Sequence, residues 1–233
     1  MASKKALVFG GTSGIGLATA RALAKAHMQV TVLSRDPSKL TAELGLEVEK
    51  CDVRDRAALA TVFAAHAPYD VLISAATGGD RAIGPFLEME LDGFQASFDK
   101  LWGYANVVRL GSEGLAEGGN IVLVSGTPAR RAKPGQIALA SVGASVEQFV
   151  RSVAPELAAQ NKRINVVSPG VIDTPMFGAA GNDRASKVLA ATASHLVPRG
   201  GTAEEVATGI MFCVENEFVT GTTVDVDGGW LLH

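Results

Sequence analysis

Apolar residues fall into two alternating patterns along the chain. Short continuous runs, Ala6–Phe9, Gln29–Ser34, Glu47–Lys50, Val71–Ile73, Ile121–Val124, Arg163–Val167 and Thr223–Val226, read as strands. Between them, apolar residues recur every three or four positions, as in helices at Leu17–Ala26, Asp55–Ala65, Leu91–Leu110, Ile137–Ala159 and Thr202–Cys213. Arg35–Leu40 turns into a short helix ending near Gly45, and Pro68 stops the second long helix. Residues 173–200 show no clear period and hold small residues, which predicts a mobile substrate flap. Strands that are apolar throughout and separated by helices indicate a parallel sheet covered on both faces. The predicted architecture is an α/β, three-layer doubly wound parallel sheet of the Rossmann type, with about seven strands in one domain over residues 1–233. Its ligand is expected at the C-terminal strand ends, near the topological switch point.

The first strand leads into Gly10-Gly11-Thr12-Ser13-Gly14-Ile15-Gly16 and then into a helix. Glycines there let the backbone turn tightly and approach a ligand closely. Backbone N–H groups and the positive helix end then face an anion. This strand, turn and helix form a phosphate cradle.

Composition narrows the reading. Hydrophobic residues make up 47% and charged residues 19%, which supports a sizeable core. A net charge of −3 gives no broad basic surface for nucleic acid. Cys51 and Cys213 are too few for a disulfide framework and sit in apolar segments, consistent with a reducing compartment. No apolar run reaches membrane-spanning length, and the first five residues do not resemble a signal peptide, so the expected location is cytoplasmic. No metal site is expected.

At this point the chain resembles the classical short-chain dehydrogenase/reductase family over essentially its whole length. Gly10, Gly14 and Gly16 match the family's glycine spacing, and Asp52-Val53 its adenine-contacting pair. Asn165 to Pro175, with Pro169, Gly170, Val171 and Thr174, is similar to its nicotinamide-side loop. Gly221 and Asp225 to Gly229 resemble its C-terminal signature. The resemblance implies an oxidoreductase that holds a dinucleotide through Gly10, Thr12, Ser13, Gly14, Ile15, Gly16, Ser34, Arg35, Asp52, Val53, Ala75, Pro169, Gly170, Val171 and Thr174. It also implies a small-molecule substrate and a homodimer or homotetramer. An NAD site ends its second strand with an acid that grips the ribose hydroxyls. Here Ser34 and Arg35 stand there, a hydroxyl and a planar guanidinium suited to a 2′-phosphate, which favours NADP(H). Lys39 adds charge, and Asp36 is a candidate ion-pair partner for Arg35.

The acid–base half departs from the family pattern. The family places a tyrosine proton donor and a lysine four residues on; the matching positions are Leu139 and Gly143. The only tyrosines, Tyr69 and Tyr104, have no lysine four residues on. The family's serine falls on Gly126, beside Ser125, and its asparagine on Lys100. Ser74-Ala75-Ala76-Thr77 replaces its Asn-Asn-Ala-Gly, and Phe9 its leading threonine. One reading is relocated chemistry. A partly desolvated Lys100 donates the proton, Ser125 bonds the substrate oxygen, and Tyr104, one helical turn from Lys100, is a lesser candidate. Arg130, Arg131 and Lys133 form a basic cluster that could greet an anion or simply be an exposed charged loop. His195 reads more readily as a surface histidine than as an acid closing over the site. The other reading is an inactive NADP-binding sensor, scaffold or partner subunit, or a non-redox isomerase or lyase using the same pocket.

Overall fold

The computed structural model describes residues 3–40, 43, 45–77 and 81–232. Seven parallel strands form one sheet in the order β3-β2-β1-β4-β5-β6-β7. They are β1 (Lys5–Phe9), β2 (Gln29–Ser34), β3 (Leu46–Lys50), β4 (Tyr69–Ser74), β5 (Leu115–Val124), β6 (Arg163–Pro169) and β7 (Thr223–Val226). The α-helices are α1 (Gly14–Lys25), α2 (Arg56–His66), α3 (Leu91–Ala96), α4 (Asp99–Gly111), α5 (Ile137–Ala158), α6 (Asn182–Thr192) and α7 (Ala203–Glu215).

Successive strand residues point to opposite faces, so a strand covered on both sides is apolar at every position. Leu7 and Phe9 of β1 enter one core with Leu59 and Phe63 of α2, Tyr104 and Val107 of α4, and Val146 and Val150 of α5. Ala6 and Val8 enter the other, with Ala20 and Leu23 of α1 and Val206, Ile210 and Cys213 of α7. Each fully buried Leu, Val or Phe side chain contributes about 1.5–3 kcal/mol. The strand order reverses between β1 and β4, and the crevice this opens lies beyond their C-terminal ends. Among the described residues, no helix is long and apolar enough to cross a membrane.

Four elements differ from the sequence expectation. The single helix expected over Leu91–Leu110 is two, α3 and α4. The Ser97 hydroxyl between them donates back to Gly93 O at 2.9 Å and accepts from Ala82 N at 2.9 Å. Such back-bonding bends a helix, and the Ala82 bond enters where the helix stops. The aperiodic segment 173–200 contains α6, whose buried side chains include only Val188 and Thr192. That inward face is too narrow to give a periodic apolar signal. β5 starts at Leu115, well before Ile121, because Glu117-Gly118-Gly119 interrupts the apolar run and its first half pairs only with the irregular start of β4. The short helix expected to end near Gly45 is a 3-10 turn at Pro37–Lys39, and residues 41, 42 and 44 lie outside the described residues.

The turn from β1 to α1 has no space for side chains at two of its glycines. A β-carbon on Gly16 would stand 2.2 Å from Gly10 O, and one on Gly10, where φ is +74°, 2.7 Å from Ala76 N. Gly16→Ala is therefore expected to lower stability by about 1–3 kcal/mol, read as a shift in the urea unfolding midpoint with an unchanged slope.

Candidate active site

A cavity of about 630 Å³ occupies the crevice. One end is lined by Gly10, Thr12, Ser13, Gly14, Ile15 and Gly16 at the start of α1. Ser13 makes no side-chain cap, so the first-turn N–H groups of α1 are left for a ligand. Gly14, with φ +50°, faces the cavity. A β-carbon there would stand 3.5 Å from Thr174 Cγ2 and fill the gap between the turn and the β6 loop. The turn is thus shaped for a phosphate-bearing ligand.

Along the same wall lie Ser34, Arg35, Asp36 and Lys39. Thr12 Oγ1 donates to Ser34 Oγ at 3.0 Å, and Asp36 N donates to the same oxygen at 3.2 Å. The Asp36 carboxylate accepts from Ser38 N and the Ser38 hydroxyl, which holds its pKa below the usual carboxylate range, and Lys39 Nζ approaches at 4.0 Å. Asp36 thus caps its own turn. Val53, Ala75, Pro169, Gly170, Val171 and Thr174 also line the cavity. Asp52 does not. Its carboxylate is paired with Arg54 at 2.8 Å, which lowers its pKa.

Lys100 stands at the other end. Its Nζ donates to Ser125 O at 3.3 Å and lies 5.5 Å from the centre of the Tyr104 ring. Burial, aided by the nearby Arg81 charge, lowers its pKa from the ordinary 10.5 to about 8. The Tyr104 hydroxyl, fully buried, donates to Val124 O at 3.0 Å, and burial pushes its pKa up. A phenol so placed is a poor acid, so Tyr104 is a core residue.

Ser125 also lines the cavity, with its hydroxyl 3.2 Å from Gly143 O and 3.4 Å from Glu147 Oε1. Leu139 and Gly143 contribute apolar wall. A β-carbon at 143 would stand 3.0 Å from Ala129 Cβ and 3.3 Å from Gly126 O, so the glycine lets α5 approach the loop after β5.

The basic loop cluster does not act as a unit. Arg130 is paired with Asp225 and with Glu147 at 3.3 Å; Arg131 bonds Trp230 O and lies over the Trp230 ring. Of the three, only Lys133 lines the cavity. His195, read as a surface residue, is 6% exposed and lies near Trp230, with ring centres 6.3 Å apart.

Two residues escaped the sequence reading. Arg81 lines the cavity near Lys100, but it sits in an aperiodic loop that gave no signal. Glu147 is 2% exposed and pairs with Arg130. Its four-residue spacing after Leu139 and Gly143, on the inner face of α5, was the available clue.

A family model described as Enoyl-(Acyl carrier protein) reductase matches residues 10–231. A solved structure titled short chain dehydrogenase/reductase family protein is 30% identical, with a TM-score of 0.87 over 99% of this chain and 98% of that one. The chain belongs to the short-chain dehydrogenase/reductase family. Within this family it is similar to carbonyl reductase family member 4 of Danio rerio, 30% identical over 97% of this chain and 98% of the relative. L-xylulose reductase of Mus musculus is 31% identical over 99% and 98%. A small-chain dehydrogenase solved in complex with NADPH is 28% identical, with a TM-score of 0.84 over 100% of both chains.

A lysine whose pKa is lowered by burial costs stability while it stays charged. The unfolded chain binds the proton more tightly between pH 8 and 10.5, so this penalty is full below about 8 and is relieved as pH rises through that window. Lys100→Met is therefore expected to raise stability at pH 7 by about 1–2 kcal/mol. Denaturant unfolding checks this, and the gain is expected to vanish near pH 10.5.

Proposed function

We propose that the protein is an NADP(H)-dependent oxidoreductase acting on a small carbonyl, alcohol or enone, with Lys100 as proton donor in place of tyrosine. The observation that carries this reading is Lys100 itself. It is an ammonium with a pKa of about 8, held by Ser125 O on the wall of the same cavity as the glycine turn. Family membership, the reductase names of the relatives and the NADPH bound by a similar structure support it.

The residues fit the cofactor in parts. The turn from Gly10 to Gly16 would hold the pyrophosphate, Ser34 and Arg35 the 2′-phosphate, Val53 and Ala75 the adenosine side, and Pro169 to Thr174 the nicotinamide side. The bound cofactor supplies a hydride. Lys100 N–H stabilises the charge developing on the substrate oxygen and then transfers its proton there. Ser125 O orients the ammonium, and Leu139 and Val142 exclude water from that wall.

Leu139 and Gly143 favour a second reading, cofactor binding without turnover, and the same variants separate the two. In the oxidoreductase reading, residues 173–200 form the substrate flap of a single domain, and Met176, Phe177 and Ala191 of that segment line the cavity. A homodimer or homotetramer is supported by Trp102 and Phe212, 62% and 46% exposed on α4 and α7.

Lys100→Ala is expected to lower the rate of NADPH oxidation by a carbonyl substrate by about 10²–10⁴-fold, while calorimetry finds NADPH binding retained. The Lys100 proton is lost as pH rises through about 8, with Arg81 and Tyr104 the ionisable groups facing it, so the wild-type rate falls over that range. Lys100→Arg cannot release a proton there and does not restore the rate. If Lys100→Ala turns over normally, the proton-donor reading fails. Arg35→Ala is expected to weaken NADPH by about 10–100-fold, the worth of a lost charge-assisted bond, and to leave NADH nearly unchanged. Equal wild-type affinities for the two cofactors would contradict that assignment.

A further inference from the structure

Two loops meet over the Lys100 end of the cavity. Gly84 N donates to Gly135 O at 3.0 Å, joining the segment after β4 to the segment before α5. Ala82 N donates to Ser97 Oγ at 2.9 Å, fixing the same segment to the bend between α3 and α4. Arg81 is thereby set in the cavity wall with Ser97 and Lys100. Its side chain is partly buried, and that burial lowers its pKa.

No ion pair among the described residues engages Arg81 or Lys100. The other arginines near the cavity on the β5 loop are neutralised or stacked, Arg130 by Asp225 and Glu147 and Arg131 on Trp230. Two neighbouring cations facing one cavity, with no anion between them among the described residues, oppose folding unless a ligand anion offsets them. The cofactor's phosphates are accounted for elsewhere, at the glycine turn and at Ser34–Arg35, along the opposite part of the cavity.

We propose that Arg81 and Lys100 form a substrate anion subsite, and that the substrate is an oxo acid with its carboxylate on Arg81 and its carbonyl oxygen on Lys100. This rests on the reading of Lys100 as the proton donor. Arg81 suits the task because its planar fork matches a carboxylate's two oxygens. In the reduction, the carbonyl carbon accepts a hydride from NADPH, the C=O π bond opens, and the oxygen takes the proton from the Lys100 ammonium. The products are the hydroxy acid and NADP⁺, and Lys100 regains its proton from water. The carboxylate is unchanged and serves as an anchor.

The test has a binding arm and a kinetic arm. Malonate, which cannot be reduced by this route, is titrated by calorimetry into the protein saturated with NADP⁺. Wild type is expected to bind it, neutral malonamide is expected not to bind, and Arg81→Met is expected to weaken malonate by about tenfold or more. Arg81→Lys, which keeps the charge without the fork, should fall between. In the kinetic arm, 3-oxobutanoate and its methyl ester are compared as oxidants of NADPH. Wild type is expected to favour the acid in kcat/KM by about tenfold or more, and Arg81→Met to bring the ratio close to unity.

Malonate binding that is absent, or indifferent to Arg81, overturns the subsite. So does an Arg81→Met variant that loses NADP⁺ affinity as fully as malonate affinity, since Arg81 would then serve the cofactor. Asp80 lies outside the described residues, and a gain of about tenfold in malonate affinity on Asp80→Asn would show Arg81 to be already neutralised and would also overturn it. Turnover of the ester but not the acid removes the subsite and leaves the oxidoreductase reading standing. Arg81-dependent malonate binding with no turnover of either substrate keeps the subsite and removes the redox reading.

Discussion

Just beyond the C-terminal ends of the parallel neighbours β1 and β4, backbone segments pass so closely that no side chain fits between them. A β-carbon on Gly10 would stand 2.7 Å from Ala76 N, and one on Gly16 2.2 Å from Gly10 O. This contact seats the start of α1 directly over the crevice and leaves its first turn open toward the cavity. The sheet order, reversing at the same strands, leads the ends of β4, β5 and β6 to the same place. Thr174, Ser125 and Ala75 reach the cavity because those strand ends do. What the cavity can hold is therefore set by backbone geometry.

What it can do chemically depends on a charge that the fold stabilises poorly. Lys100 has one carbonyl acceptor, an aromatic face 5.5 Å away and a neighbouring arginine. Burial and like charge both favour its neutral form, which is the condition for proton transfer near neutral pH. Glu147, though buried beneath the same wall, does not relieve it. Its carboxylate is committed to Arg130, and through Arg130 to the Asp225 end of β7. At this end, Glu147 and Arg130 pair outside the cavity lining, while Arg81 and Lys100 face it.

The sequence disclosed what depends on local pattern. Runs such as Leu7–Phe9 and Ile121–Val124 are legible as strands because both faces are buried, and the glycine turn is legible because its backbone demands are local. The end of α3 was not legible, since it depends on a bond from Ala82, a residue distant in the chain. α6 was hidden because so little of its surface is buried. The place of Lys100 on the cavity wall was legible from the family pattern. Arg81 was not recognised and His195 was read as a surface residue, because burial and neighbours in space decide both places. Arg130 and Arg131 read as free charge in the sequence and are engaged in the fold.

The proposed chemistry requires Lys100 to release its proton near neutral pH. The most direct measurement is NMR titration of protein carrying lysine labelled with ¹³C at the ε-carbon, with the Lys100 resonance assigned by its absence from Lys100→Ala. The expected midpoint is about 8. A midpoint near the ordinary lysine value of about 10.4 would contradict it.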